Sequence, residues 1–408
     1  MTNSLWSHWT QQFHLPLTNP VNIFTLVLFI IFFAPILMAK MKVPDIVGFI
    51  LAGVIIGPYG LNLLSKNLAV DLFATIGLLY IMFIAGVELN LNEFKKKKNK
   101  SFTFGLLTFS IPIVIGFPVL YFLFGYSLIT SLLTASMFAT HTLVAYPIVS
   151  KYKASGNEAV AVTIGGTILT DTAVLILLAV ILAAKNGGLT AAFWLQLIFS
   201  LTVFLLIVFF VVPRVAKFFL AKPETNKVSH YVLILTCVFF SAFLAQVAGV
   251  EPIIGAFIAA LAINRLIPKP SKLFSNIEFA GNAIFIPFFL ISVGMVVNLH
   301  VLFGGFGAML IAVSLTLVAL AGKWLSVFVT QKIFGYTNTQ RNLMFGLSSS
   351  HAAATLAIIL IGYKNGIIDD DILNGTIVLI LVTCIVASLT TERASKKLTA
   401  LPEREKVG

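Results

Sequence analysis

Apolar runs of bilayer-spanning length follow one another along nearly the whole chain, and no other feature restricts the fold as much. A helix that crosses the hydrocarbon core needs roughly 17 to 25 mostly apolar residues. Hydrophobic residues make up 59% and charged residues 10% of the 408 residues, which is too apolar for a single water-soluble core. The sequence therefore predicts an all-α polytopic membrane protein with about 13 transmembrane helices.

Loop signals between the apolar runs give the boundaries of these helices. Both cysteines, Cys237 and Cys384, lie inside apolar runs, so neither a disulfide nor a cysteine metal site is expected, and no cofactor is predicted. The N-terminal segment lacks the basic region of a cleaved signal, so we expect the first span to remain in the mature protein. The predicted spans are 21–39, 44–64, 69–90, 101–125, 128–150, 157–184, 190–219, 229–248, 250–267, 276–299, 302–332, 340–364 and 371–391.

Basic residues fall mainly on one side of the predicted topology. That side carries the run Lys95 to Lys98 and most other loop lysines and arginines, whereas the opposite side carries Lys66, Lys185 and Lys364. The positive-inside rule then places the basic side and the C-terminus in the cytoplasm and the N-terminus outside. The net charge of +12 indicates topology first and contact with anionic lipid or a regulatory partner second. It does not imply nucleic acid.

Similar motifs recur in the two halves of the chain at nearly constant spacing. Four pairs match in the same order: GVELNL at 86 with GMVVNL at 294, Pro44 with Pro252, ATHT at 139 with SSHA at 349, and TAVLIL at 172 with TIVLIL at 376. Seven crossings separate matching spans, so the two units would be inverted repeats, a feature typical of transporters. The predicted membrane domain covers 1–391, with repeats at 21–184 and 229–391, a linker helix at 190–219, and a cytoplasmic tail at 392–408.

The fifth span of each unit is unusually polar in its middle. The first contains Thr140, His141 and Thr142, followed by Pro147, and the second contains the run Ser349, Ser350, His351. Proline removes a backbone donor, and hydroxyl groups satisfy backbone groups that an interruption frees. We therefore predict two discontinuous helices. The alternative is that these hydroxyls bond their own helices and permit close packing.

One carboxylate lies far from any interface. Asp171 is roughly 20 Å of helix from the nearest charges on either side, Glu158 and Lys185. An ionised Asp at that depth costs ~2.5 to 3.5 kcal/mol on insertion, so we expect it to face a cavity, bind a cation or carry a proton. The alternative is a structural carboxylate that is hydrogen-bonded inside the bundle.

These motifs together resemble the monovalent cation:proton antiporter superfamily, in its Kef-type and sodium/proton antiporter branch. The resemblance implies two crossed broken helices, a core that moves against a dimerising domain, a likeness of Asp171 to the family's ion-binding aspartate, a homodimer, and a place in the bacterial inner membrane. It extends over nearly the whole membrane region. The residues that carry it are GFILAGVIIGPYGL (48–61), GLLYIMFIAGVELN (77–90), GGTILTDTAVL (165–175), GVEPIIGAFIAAL (249–261) and FFLISVGMVVNL (288–299).

The sequence also departs from that family. Thr170 stands where many relatives have Asp, Asn or Gln, and Asn282 lies near the place where some have Lys or Arg in the tenth span. A single deep carboxylate favours electroneutral one-for-one exchange of Na⁺ or K⁺ for H⁺ by alternating access. Burial disfavours a bare carboxylate, so protons and cations would compete for Asp171. Thr170, Thr140 and Thr142 are candidate oxygen ligands.

Other polar residues support more than one interpretation. His141 and His351 either tune the pH response or bridge helix ends as neutral side chains. Lys323 either faces the core and the helix termini or reaches the cytoplasmic interface. Two other functions are kept. One is a Kef-type K⁺ efflux channel, a class that often carries a soluble nucleotide-sensing domain, before which the tail at 392–408 would be truncated; the other is a membrane sensor without transport. No ATP-binding loop or redox ligand set is present, so the sequence favours neither a pump nor an enzyme.

Overall fold

A computed structural model describes residues 15–41, 43–65, 67–88, 97–185, 191–221, 227–267, 271–298 and 306–399. Over these ranges the chain forms helices, turns and short connections without a β-strand. Nine described helical stretches are long and apolar enough to cross a membrane, or ten if one bent pair counts as a span, and three shorter apolar helices accompany them. The chain is thus an all-α polytopic membrane protein, and the count of thirteen crossings stays a prediction.

Seventeen α-helices make up the described structure, several of them extended by a short π-helical or 3₁₀ turn. They are α1 Pro20–Met41, α2 Asp45–Ile56, α3 Leu68–Glu88, α4 Lys98–Pro118, α5 Leu128–Met137, α6 Tyr146–Lys151, α7 Glu158–Lys185, α8 Ala191–Leu206, α9 Val212–Leu220, α10 Lys227–Val247, α11 Pro252–Ile263, α12 Lys272–Ala280, α13 Ile286–Met295, α14 Phe306–Phe334, α15 Asn338–Ser349, α16 Ala353–Lys364 and α17 Asp370–Thr399.

Two ends differ from the predicted boundaries. The span predicted at 44–64 ends as a helix at Ile56, because Gly57 and the following Pro58 lead the chain into a turn. The predicted tail at 392–408 begins as helix, since α17 continues to Thr399, and residues 400–408 lie outside the described part. Residues 186–190, 222–226 and the first half of the basic run near 95 also lie outside it.

Helix packing divides the molecule into two groups. The first helix group contains α1 to α3 and α8 to α13, and the second helix group contains α4 to α7 and α14 to α17. Within each group the long helices pack closely, whereas contacts between the groups are concentrated where α17 meets α2 and α6 meets α3. Each group combines helices from both halves of the chain.

Two glycines allow α2 and α13 of the first helix group to approach each other closely. A Cβ atom on Gly53 of α2 would lie 2.0 Å from the Ile291 carbonyl oxygen, and one on Gly294 of α13 would lie 2.0 Å from the Ile50 carbonyl oxygen. Neither backbone leaves room for a side chain there, so α2 and α13 touch backbone to backbone. The small residues of two sequence motifs thus have a packing role.

Polar contacts join the two groups at one end of the molecule. The Glu88 carboxylate at the end of α3 accepts hydrogen bonds from Tyr146 at 2.5 Å, Ser150 at 2.7 Å and Ser155 at 2.7 Å. The neighbouring ion pair joins Lys151 to Asp45 at 2.6 Å. Glu88 and Asp45 belong to the first helix group and their partners to the second, so these contacts hold α6 against α2 and α3.

Candidate functional site

The site is built around two helix interruptions in the second helix group. The chain leaves α5 at Met137 and begins α6 at Tyr146, and it leaves α15 at Ser349 and begins α16 at Ala353 after a bend of 43°. Pro147 lies in the first turn of α6, where a missing N–H breaks no helical bond. It therefore helps α6 to begin, and the interruption itself lies upstream, at the polar residues.

Hydrogen bonds join the two interruptions to each other. The Thr142 amide donates to the Ser350 carbonyl at 2.9 Å, and the Ser350 hydroxyl donates to the Thr142 carbonyl. The Thr140 and Thr355 hydroxyls are 2.7 Å apart. Backbone groups freed by the missing helical turns are thus satisfied across the crossing, as burial requires.

Asp171 of α7 faces the first interruption. It is 6% exposed, and its Oδ1 accepts the His141 backbone N–H at 3.4 Å. In the part of the chain that is described, this is the one hydrogen bond that the carboxylate receives. At the second interruption the equivalent backbone N–H, that of His351, donates to the Thr383 hydroxyl at 3.2 Å. The equivalent backbone N–H groups are thus accepted by a carboxylate at the first interruption and by a neutral hydroxyl at the second.

His141 bridges α7 and α14 as a neutral side chain. Its Nε2 lies 2.6 Å from the Thr167 hydroxyl, which donates its own proton to the Thr163 carbonyl at 2.9 Å. The hydroxyl therefore accepts from His141, which places the ring proton on Nε2. Nδ1 is left as an acceptor for Lys323, whose Nζ lies 3.2 Å away.

Lys323 is the second deep charge of the site. Its side chain is fully buried, and Nζ donates to the Ala139 carbonyl at the end of α5, where a cation complements the helix dipole. The alternative that Lys323 reaches the cytoplasmic interface is therefore wrong, because its ammonium group is held by the interruption. The sequence left open whether Lys323 faces the core, and in the structure its amino group contacts the same backbone segment as Asp171.

The candidate ligand hydroxyls divide into partnered and unpartnered groups. Thr170 bonds the Gly166 carbonyl at 2.8 Å and the Gly105 carbonyl at 3.2 Å, so it faces α4 and not the interruption. Thr140 donates to the Met137 carbonyl at 2.7 Å. By contrast, the buried hydroxyls of Thr142 and Ser349 have no hydrogen-bond partner among the described residues.

The second histidine and Asn282 occupy other surroundings. The His351 Nδ1 lies 3.0 Å from the Ser349 carbonyl and its Nε2 lies 3.3 Å from the Phe138 carbonyl, so this ring joins the two interruptions. Asn282 lines a cavity between the helix groups and has no described contact with Asp171. Thr167 and Thr383 were not predicted as site residues from the sequence. Thr167 has a signal only once the role of Asp171 is known, because it lies one helical turn before Asp171 on the same face.

Two cavities lie between the helix groups at opposite ends of α3. The first, of about 310 Å³, is bordered by Asp45, Lys151 and Glu392. The second, of about 240 Å³, is bordered by Asp71 at the start of α3 and by Ala352 at the second interruption. Pro147, just after the first interruption, borders the first cavity, and Ala352 of the second interruption borders the second.

Comparison with known proteins agrees, over most of the chain, with the family resemblance of the sequence motifs. The profile of the family described as "Sodium/hydrogen exchanger, transmembrane" matches residues 28–397. The chain is 32% identical over 389 residues to the protein named Na⁺/H⁺ antiporter NhaS5 from Synechocystis sp., covering 93% of this chain and 55% of that relative. It is 30% identical over 375 residues to the probable Na⁺/H⁺ antiporter 3 of Methanocaldococcus jannaschii, covering 90% of this chain and 94% of that relative.

A solved structure has the same fold. The sodium proton antiporter MjNhaP1 of Methanocaldococcus jannaschii superimposes with a TM-score of 0.68 at 15% sequence identity, over 93% of this chain and 99% of that one. At this identity the structural similarity shows a shared fold alone. Family membership rests on the family profile and on the two sequence relatives. The chain therefore belongs to the sodium/hydrogen exchanger transmembrane family, within the monovalent cation:proton antiporter superfamily.

Proposed function

We propose that this protein exchanges one monovalent cation, Na⁺ or K⁺, for one H⁺, with Asp171 binding either ion in turn. The observation that carries the proposal is the contrast between the two interruptions. Thr383 accepts the backbone N–H of one with a neutral hydroxyl, and Asp171 accepts that of the other with a carboxylate. A backbone N–H at this place can be bonded without a charge, and a charged side chain is costly at this depth in a membrane. The carboxylate of Asp171 therefore favours an ion-binding role.

Oxygen atoms near Asp171 suit a hard cation. The unpartnered Thr142 hydroxyl is the strongest candidate ligand besides the carboxylate, with backbone carbonyls of the first interruption as further donors. Thr140 and Thr170 already donate to helix carbonyls, so they would act by shaping the site. We assign the two histidines to bridging the interruptions and not to sensing pH.

Lys323 changes the charge argument for one-for-one exchange. With Lys323 charged, a protonated Asp171 and a cation-bound Asp171 give the core the same net charge, and the empty form differs from both by one unit. Exchange of the two loaded forms then moves no net charge across the membrane. Electroneutrality then follows from the equal charge of the two loaded forms, whether or not the core is neutral.

The two helix groups suggest how access would alternate. The second helix group carries Asp171 and both interruptions, and the cavities on either side of them lie along its boundary with the first group. Movement of one group past the other would open these cavities in turn. We further propose inverted repeats within thirteen crossings, a homodimer, a cell-membrane location and a cytoplasmic basic side. The matched contacts of the two interruptions support the repeats, the distribution of loop lysines and arginines supports the cytoplasmic basic side, and the homodimer and the location rest on the resemblance of the motifs alone.

Proteoliposomes with an internal pH dye test the function directly. Na⁺, K⁺ or Li⁺ is added outside the purified wild type, Asp171→Asn and Asp171→Thr. The threonine variant reproduces the cap of the second interruption, so it should fold and retain the wild-type melting temperature. We expect cation-driven proton movement in the wild type and none in either variant. Wild-type exchange rates in Asp171→Thr would refute the role of Asp171.

A membrane-potential clamp tests the stoichiometry in the same vesicles. Electroneutral exchange predicts the same proton flux with and without the clamp. A flux that follows the potential would contradict one-for-one exchange. Cation flux without proton movement would replace the proposal with the channel function, and binding without any flux would replace it with the sensor.

A further inference from the structure

The cavity at the start of α3 is bordered by three polar side chains. Asp71 and Thr75 lie one turn apart on α3, and Ser292 borders the same cavity from α13. The cavity has a volume of about 240 Å³ and extends to Ala352 of the second interruption. It lies at the opposite end of α3 from Glu88 and its partners. Among the described residues that border it, Asp71 is the one that carries a charge.

These three side chains have no hydrogen bond or ion pair with any other described residue. Ser292 is only 9% exposed. A buried hydroxyl of a helix commonly donates to the carbonyl four residues earlier, as Thr316 does to Ala312 at 2.8 Å. Polar groups without a protein partner are satisfied by water where a cavity gives it room. The cavity is therefore suited to water and to a hydrated cation.

The Asp71 carboxylate is not needed to cap α3. The Asn67 side chain accepts the Val70 backbone N–H at 3.0 Å, and the Asn67 carbonyl accepts the Asp71 N–H at 3.0 Å. The first turn of α3 thus has its own cap. An acidic residue anywhere in that turn complements the helix dipole, so the dipole does not explain why the carboxylate borders the cavity.

A neighbouring cavity on α3 has a different lining. It lies between α1 and α3, has a volume of about 340 Å³, and is bordered by Phe24, Phe73 and Phe288 and by no charged residue among those described. All of its walls belong to the first helix group. The carboxylate is thus found in the cavity that the second helix group, with its ion site, also borders.

We propose that Asp71 forms an entry site in which monovalent cations collect before they reach Asp171 from this side. A negative charge at a cleft with low-dielectric walls raises the local concentration of cations. The hydroxyls of Thr75 and Ser292 bond the water that accompanies the cation. The entry site serves the exchange proposed above and rests on that function. Asp71 belongs to the first helix group, so it supplies the ion site only when the cavity is open to it, as alternating access requires.

A charge series at position 71 tests the entry site. Right-side-out and everted vesicles are prepared from cells whose own Na⁺/H⁺ antiporters are deleted. In the proposed orientation, Asp71 faces the outside of right-side-out vesicles. For Asp71→Asn and Asp71→Lys we expect the KM for external Na⁺ to rise roughly threefold per unit of charge at about 0.01 M ionic strength, as for a cation about 6 Å from the charge in water. The rate at saturating Na⁺ should stay close to that of the wild type.

Asp370 provides a matched control for the charge series. It is exposed at the start of α17 and accepts the Tyr363 hydroxyl at 2.9 Å, but it does not border the cavity. Asp370→Asn and Asp370→Lys change the charge by the same amounts as the two Asp71 variants. We expect much smaller changes in KM from them, because their charge lies outside the cavity.

Salt and cation type separate a charge that collects cations from a residue that only holds the structure. At about 1 M ionic strength the Debye length falls to about 3 Å, so the KM differences among the Asp71 variants should disappear. The electric field acts on charge alone, so the ratios of KM for Na⁺, K⁺ and Li⁺ should remain those of the wild type. A packing defect would instead persist at high salt and lower the melting temperature.

Three results would overturn the entry site and leave the exchange function intact. They are a wild-type KM in Asp71→Lys at low ionic strength, a raised KM that persists at high ionic strength, and an equal rise in KM for Na⁺ added to everted vesicles. A wild type that moves no protons in response to cations, or wild-type exchange in Asp171→Asn, would instead refute the proposed function.

Discussion

Thr142 and Ser350 hold the two interrupted helices together by hydrogen bonds in both directions. The amide of Thr142 donates to Ser350 at 2.9 Å, and the hydroxyl of Ser350 donates back to the carbonyl of Thr142. The two interruptions therefore form one unit, and Asp171 and Lys323 both contact the backbone of the first interruption.

The two residues should respond differently to loss of their hydroxyls. Ser350→Ala removes one of the two hydrogen bonds that the Thr142 carbonyl accepts, the other coming from the Val144 N–H at 2.6 Å, so we expect a loss of roughly 0.5 to 1.5 kcal/mol of stability. Thr142→Val removes a hydroxyl without a protein partner and should raise the cation KM with little loss of stability. Melting temperatures and cation titrations of exchange measure both effects. A lower melting temperature and an unchanged KM in Thr142→Val would contradict its role as a ligand.

Lys323→Met tests the buried charge. It removes the donor to the Ala139 carbonyl and to the His141 ring, which should destabilise the protein by about 1 to 3 kcal/mol and abolish exchange. Lys332→Met is the control, because Lys332 is exposed on the same helix and should have little effect. Thermal unfolding in detergent compares the two. Wild-type stability of Lys323→Met would show that the ammonium group does not hold the interruption.

Gly53→Ala should disrupt the first helix group. The added methyl group would overlap a backbone carbonyl 2.0 Å away, and neither backbone moves without separating α2 from α13. We expect a loss of about 1 to 3 kcal/mol or more. Gly156→Ala adds the same methyl group where nothing lies within 4 Å and should leave the melting temperature unchanged. Equal melting temperatures of the two variants would mean that the helices pack less closely than described.

Glu88→Gln tests whether the polar contacts between the helix groups restrain movement. The amide accepts through one oxygen only, so it cannot keep all three hydroxyl donors of Glu88 bonded as they are. We expect faster exchange, because these contacts must break whenever the groups move past each other. Glu392→Gln is the matched control, since its partners Tyr152 and Lys396 belong to its own helix group. A slower rate in Glu88→Gln than in the control would contradict this role.

Several features of the fold and the site could be predicted from the sequence because their causes are local. Apolar length predicts membrane helices wherever the chain folds, and a polar run at membrane depth predicts an interruption, which is present at Thr140 to Thr142 and at Ser350 to His351. The isolation of Asp171 from other charges is likewise visible in one dimension. The helical period also explains why Thr170 points away from Asp171, since adjacent residues point about 100° apart.

Only tertiary packing determined which groups the residues of the site contact. Lys323 lies more than 180 residues from Ala139 along the chain, and nothing in its apolar surroundings distinguishes a lysine that faces the core from one that reaches an interface. The equivalence of Thr383 and Asp171 also depends on which backbone N–H each side chain contacts. The sequence by itself determined a membrane bundle with one deep carboxylate and two weak points in its helices. Only the folded arrangement placed a buried lysine against the same backbone segment as that carboxylate, because such placement depends on which helix faces are packed together and not on residue order.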